Sequence, residues 1–131
     1  MSLALKIQNL AKKLNSRLAK LSFPEPVAYV YNAFDYAFPG YAAYAEKFAQ
    51  GTKRVFLLGM NPGPWGMSQT GVPFGEILAV RDWMGLRAAI GRPEPEHPKR
   101  PVKGLACARS EVSGRRLWGF FAEYFGAPEN F

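Results

Sequence analysis

An amide, an aromatic ring and a backbone cleared by glycines stand close together in one stretch of this chain, residues 55–75, VFLLGMNPGPWGMSQTGVPFG. Asn61 can hold a water through its side-chain carbonyl, which positions a nucleophile without deprotonating it, or it can brace the turn ahead of Pro62. Phe74 can offer its face to a flat ligand, or it can pack in the core. Gly59, Gly63, Gly66, Gly71 and Gly75 let a substrate approach the backbone, while Pro62, Pro64 and Pro73 fix φ and stiffen the path between them. That combination implies a rigid, concave backbone surface. Gln69 and Thr70 can bond either a ligand or the loop itself. No carboxylate lies within the loop, and Glu76 and Asp82, which follow it, read as capping or surface residues.

The element expected to carry this loop is the apolar run Val55, Phe56, Leu57, Leu58, which follows Lys53 and Arg54. It reads as a strand over residues 53–58, buried on both faces of a parallel sheet, and ligands of such sheets bind outside the carboxyl ends of the strands. A helix is expected after the loop, from Gly75 or Glu76 to Met84. Upstream, Leu3, Ile7, Leu10, Leu14, Leu18 and Leu21 recur at three- and four-residue spacing among Lys and Arg, the pattern of an amphipathic helix. Its Leu stripe is expected to dock on its own domain rather than on a membrane or a partner. It has neither a continuous apolar core nor a cleavage site, so it does not read as a signal peptide. The aromatic stretch Tyr29–Phe48 contains a second helix, Tyr41–Gln50, after Pro39-Gly40. Its rings can stack on bases, with core packing the default. Residues 91–105 are Pro-rich and basic, hence loop, with Val102–Leu105 a possible short strand. A last helix starts near Ser110, with Glu111 in its first turn, and runs to Gly126.

A length of 131 residues suits one domain. A hydrophobic fraction of 48% places the chain among globular proteins. A formal charge of +7 with a pI near 9.8 suits a polyanionic partner. Lys99, Arg100, Lys103, Arg109, Arg115 and Arg116 can touch phosphates or form a solvated charged surface. The single cysteine, Cys107, excludes an intrachain disulfide and reads as a buried or half-buried thiol in a reducing cell. No segment approaches the roughly 20 apolar residues that cross a bilayer, so no membrane is expected among the partners.

Gly59-Met60-Asn61-Pro62-Gly63-Pro64 and Gln69-Thr70-Gly71-Val72-Pro73-Phe74-Gly75 resemble the first catalytic motif of the single-strand-selective monofunctional uracil-DNA glycosylases. The likeness continues through Val80-Arg81-Asp82-Trp83, residues 96–102 (EHPKRPV) and residues 110–114 (SEVSG), so it covers roughly Phe23 to Phe131. The motif departs at Trp65, where the family has Phe, and at Ser68, where it has Ala, positions that bear on fine substrate preference. The resemblance implies a three-layer α/β/α sandwich around a central parallel sheet. It also implies hydrolysis of the N-glycosidic bond of uracil and related modified bases in DNA, the first step of base-excision repair, with no metal and no cofactor. Asn61 then positions the attacking water and Phe74 stacks on the extruded base. Met60 and Gly63 contribute backbone groups, and Met67 walls the pocket beside the pyrimidine C5 edge. Lys99 and Arg100 contact DNA. The expected location is intracellular: cytoplasm or nucleoid in a bacterium, nucleus in a eukaryote.

One strand is too few for such a sheet, because a lone strand has no ladder partner for its backbone groups. The family's second motif, His-Pro-Ser-Pro, has no match: His97 precedes a proline, but Lys99-Arg100 follow, and His97 reads as a surface residue. The leaving-group His and the uracil-reading Asn implied by the resemblance are likewise expected beyond Phe131. Residues 1–131 therefore read as a single glycosylase-like domain cut before its second motif, with the C-terminal half as its missing partner and with no detectable activity expected of the piece alone. A non-catalytic nucleic-acid-binding module is the competing reading.

Overall fold

The computed structural model describes residues 1–131, and every regular element in it is helical. Five α-helices follow one another: α1 Leu3–Leu18, α2 Ala33–Tyr36, α3 Phe38–Phe48, α4 Met67–Thr70 and α5 Val112–Phe125. A π-helical turn, Ala79–Trp83, lies between α4 and α5, with 3-10 turns at Gly104–Ala106 and Pro128–Asn130. The expected α/β sandwich with a central parallel sheet is thus overturned, since the chain contains no strand.

The physical reason lies in residues 53–58. Val55 is 75%, Phe56 85% and Leu58 83% exposed, and no backbone-to-backbone hydrogen bond involves residues 50–62. An apolar run becomes a strand only when a neighbour takes up its N–H and C=O groups. Here no neighbour does. The second possible strand also fails: Val102 is buried, but the chain turns at once into the 3-10 turn Gly104–Ala106.

α1 begins at Ser2, whose hydroxyl accepts from the Leu5 amide at 3.2 Å. It packs on α2 and α3, yet not by the face the sequence suggested. The buried residues are Ala4, Gln8 and Ala11, whereas Leu10 is 63% exposed and Leu14 42%. Small side chains allow close approach of the helices, and the same face carries two polar tethers, Gln8 to Glu46 at 3.5 Å and Asn15 to Asn32 at 2.6 Å. The Leu stripe is therefore only partly covered, which corrects the docking expected of it.

The core is small and lies under the C-terminal part of the motif loop. Phe48, Val72, Val80, Met84, Leu86 and Trp118 form one buried cluster, with Phe74, Phe121 and Phe131 against it. Ala33, Tyr36, Ala37 and Val102 form a second, flanked by Tyr31, Met67 and Ile90. The accessible surface, 8673 Å², exceeds the about 6,900 Å² typical of a compact protein of this mass. The excess is consistent with the bare apolar run at 55–60 and the partly covered face of α1.

The helices called from sequence otherwise hold to within a turn. The second runs from Phe38 rather than Tyr41, because Pro39 sits in its first turn, where its missing N–H costs nothing. The last is capped by Glu111, not opened by it: its carboxylate accepts from the Gly114 amide at 2.6 Å. Cys107 is a buried free thiol.

Candidate active site

The motif loop divides at Gly63. Beyond it the chain is tied down. Gly66, Gly71 and Val72 are buried, and Thr70 is held at three points: its hydroxyl shares its single proton between the Gly66 and Gly75 carbonyls, at 3.2 and 3.0 Å, and accepts from the Val72 amide at 3.2 Å. Gln69 ties the loop to the next one: its amide nitrogen donates to the Pro64 and Pro101 carbonyls, each at 3.1 Å, and its oxygen accepts from the Lys103 amide at 2.8 Å. Both residues are 1% exposed, so the alternative left open by their types is decided: they bond the loop. Tyr36 locks the same segment by donating its hydroxyl to the Ser68 carbonyl at 2.7 Å. Burial pushes that phenol up to about 12, against the lowering effect of the bond to Ser68.

Phe74 emerges from this anchored segment with φ of +53°, in the left-handed region that side chains rarely adopt. Its surroundings over-determine the conformation. Trp118 donates its indole N–H to the Phe74 carbonyl at 2.7 Å. Gly114 of α5 lies so close that a Cβ there would stand 2.2 Å from the same carbonyl oxygen. The Phe74 ring is half-buried, and its tip lies 3.1 Å from where a Gly59 Cβ would be. The ring thus covers the backbone two residues before Asn61.

Asn61 is exposed, and its amide nitrogen donates to the Pro62 carbonyl at 3.0 Å. Its side-chain carbonyl has no protein partner. Met60 is 98% exposed. Gly63 and Gly66 rest on Glu111, whose Cγ would stand 3.3 and 2.9 Å from a Cβ at those positions. Glu111 therefore joins the motif loop to the start of α5, a role its helix-start position does not announce. Met67 is half-buried and packs against the second core cluster.

The loop at 96–103 lies beside the motif loop. Arg100 stands 5.5 Å and Arg109 4.6 Å from the Trp65 ring centroid, so both cations engage the residue that departs from the family motif. Glu96 is occupied elsewhere: it pairs with Arg92 and accepts from the Val102 amide at 2.8 Å, and the Arg92 hydrogen bond holds its carboxyl below the usual range. Neither Lys99 nor Arg100 pairs with a carboxylate, and both are exposed. Glu76, 3% exposed, caps the following turn by accepting from the Ala79 amide and from Ser110, each at 2.9 Å. Asp82 pairs with Arg81 at 2.8 Å on the surface. No three His, Cys, Asp or Glu side chains gather where a metal could sit, and no helix is long and apolar enough to cross a membrane.

No protein-family profile matches the chain. Individual proteins do. It is 55% identical, over 119 residues and 91% of its length, to the single-strand selective monofunctional uracil-DNA glycosylase of Rattus norvegicus, and equally to those of Mus musculus and Bos taurus. The family resemblance holds. The chain spans 43% of the rat and mouse proteins and 44% of the bovine one, less than half the length of these curated relatives. At this identity the shared positions extend far beyond the motif itself. The anchored segment, Trp118 and the 96–103 loop all lie within the reach of the likeness.

Proposed function

We propose that this chain carries the water-positioning part of a monofunctional DNA glycosylase that hydrolyses the N-glycosidic bond of uracil and related modified bases in DNA, initiating base-excision repair. The observation that carries the reading is the 55% identity over 91% of the chain to proteins named for that activity. The site geometry supports it, because a Phe ring held at a strained φ lies over the backbone next to an Asn with a free carbonyl.

In this mechanism the base is extruded from the stack and its face rests on Phe74. The C1′–N bond breaks as the sugar gains oxocarbenium character, so the water needs placement more than deprotonation. The Asn61 carbonyl accepts a hydrogen bond from that water and directs its oxygen at C1′. The new C–O bond forms as the base departs with the bonding electron pair; one water proton stays on the sugar hydroxyl and the other passes through solvent to the departed base anion. Met60 and Gly63 offer backbone groups, Met67 walls the pocket, and Lys99 and Arg100 hold phosphates. No lysine attacks, so no covalent enzyme–sugar adduct forms. The protein acts where DNA is kept, the nucleoid or cytoplasm of a bacterium or the nucleus of a eukaryote.

The unpaired cations at Lys99, Arg100 and Arg109 also favour a second reading, a binding module without catalysis. Incubating the protein that contains this chain with a uracil-bearing oligonucleotide separates the two. Free uracil and an alkali-labile abasic site are expected, whereas retention of the oligonucleotide without base release would leave only the module.

A further inference from the structure

A groove of about 370 Å³ opens beside the motif loop, between Pro62 and Pro64 on one side and Tyr29, Tyr31, His97 and Arg100 on the other. Its volume falls in the range of about 300–1,000 Å³ over which small-ligand sites lie. Tyr29 and His97 meet edge to face with centroids 4.7 Å apart and make one aromatic wall. The His97 side of this wall is held in place. The Tyr31 hydroxyl accepts from the His97 amide at 2.7 Å and donates to the Arg100 carbonyl at 2.8 Å, which clamps both ends of the 97–100 turn. The His97 Nδ1 accepts from the Lys99 amide at 3.0 Å, so Nε2 is the ring nitrogen left to a ligand. No carboxylate lines the groove, and Glu96, next to His97 in the chain, is committed to Arg92 and the Val102 amide. Arg100 and the neighbouring Arg109 stand over Trp65 without a carboxylate partner.

We propose that this groove is a second nucleotide subsite: it takes the unstacked base of the nucleotide next to the extruded one against Tyr29 and His97, and that nucleotide's phosphate against Arg100. The assignment deepens the glycosylase reading and rests on it. A rigid aromatic wall suits a base of any identity, because every base has a face to stack, and an arginine tied to its surroundings suits a phosphate oxygen. Pro62, which lines the groove, directly follows Asn61 and accepts its amide hydrogen bond. A nucleotide seated there therefore reaches the water-positioning residue through one peptide link. A base paired and stacked in a duplex cannot enter, so the subsite contributes on single strands and not on paired ones.

The test uses the whole protein and a short fluorescein-labelled oligothymidylate, which contains no uracil, so binding is read independently of catalysis. Tyr29→Ala and His97→Ala are each expected to weaken its binding at least five-fold, the low end of what a stacked base contributes, with Tyr29→Phe near wild type. Arg100→Ala is expected to lower the slope of log affinity against log salt by about 0.7. On a uracil-containing single strand, the two aromatic variants should raise KM in the same proportion and leave kcat unchanged, at unchanged thermal midpoint. Wild-type affinity and KM in both variants would overturn the subsite while leaving the glycosylase reading intact. An equal loss on fully paired duplex would also overturn it. Lost oligothymidylate binding in a protein that releases no uracil would support the groove and sink the enzymatic reading instead.

Discussion

The two parts of the motif stretch, an apolar run ending in Asn61-Pro62 and a glycine-rich loop with Ser68, Gln69 and Thr70, are in opposite physical states. Residues 63–75 are threaded through the molecule by Thr70, Gln69 and the Ser68 carbonyl, and Val72 there is 0% exposed. Residues 55–62 carry Asn61 yet lack any backbone-to-backbone hydrogen bond, and Leu58 and Met60 are 83% and 98% exposed. Pro fixes φ residue by residue and Gly leaves the chain free, so such a loop is ordered only where something else holds it. In the anchored half polar side chains satisfy the loop's own carbonyls, so order is built in locally. In the leading half the residues that would do so are not close by, and apolar side chains face solvent instead. Anchoring and the proposed water-positioning residue therefore separate along one loop: the half that carries Asn61 contributes least to the fold, while Phe74 stands on the anchored half.

The largest effect is expected at Gly71, φ +74°, where a Cβ would stand 2.1 Å from the Ala37 carbonyl oxygen. Gly71→Ala combines backbone strain with a clash against main chain and should cost at least ~3 kcal/mol of unfolding free energy. A denaturation midpoint near wild type would show that the anchored half is less rigid than its hydrogen bonds suggest. Asn61→Ala should do the reverse. Base excision by the protein containing this chain should fall by roughly two orders of magnitude, as loss of nucleophile positioning implies, with unfolding free energy changed by less than ~0.5 kcal/mol. A near-wild-type single-turnover rate would remove Asn61 from the mechanism and leave it as a brace for Pro62.

Trp118→Phe probes the junction between the halves. It leaves the Phe74 carbonyl without its donor, which costs about 1–3 kcal/mol, and it frees Phe74 to relax from φ +53°. Excision should drop even at temperatures where the variant is fully folded. If only stability changes, the strained conformation serves packing alone. The smallest effect belongs to Phe56→Ser, a substitution at an 85% exposed position. In residues 1–131 it should move the unfolding free energy by no more than ~0.5 kcal/mol. Val72→Ser, in the buried half, should be strongly destabilising by the same assay.

Much of the candidate site could be read before the fold was known. Asn61, Phe74 and the glycines between them stood out by type and spacing, and the departures at Trp65 and Ser68 were visible as departures. The approximate places of α1, α3 and α5 followed from periodicity and from Gly126, whereas Pro39 stands in the first turn of a helix it was expected to precede, and α2 and α4 were not expected. What misled was the run Val55–Leu58, because four apolar residues look alike whether or not a neighbour pairs with them. The same limit applies to α1. Its Leu stripe carries the hydrophobic period, but Gln8 and Asn15 found polar partners on α3 and beside α2, and the helix turned its alanine face inward. No signal in the sequence marked Trp118 or Glu111 as supports for the loop, since each acts through contacts far along the chain.

The sequence by itself determined the residue types at the site, the positive charge and the likeness to the glycosylases, because these need no partner in space. It also marked the longest helices to within about a turn, since periodicity and capping are local. Only the tertiary structure decided that the apolar run has no sheet, that Gln69 and Thr70 serve the loop, that Phe74 is held at a strained φ by Trp118, and that Tyr29, His97, Pro62 and Arg100 share one groove. Each of these depends on which distant groups meet, and a backbone carbonyl or an indole N–H carries no mark in the sequence of the partner it will find.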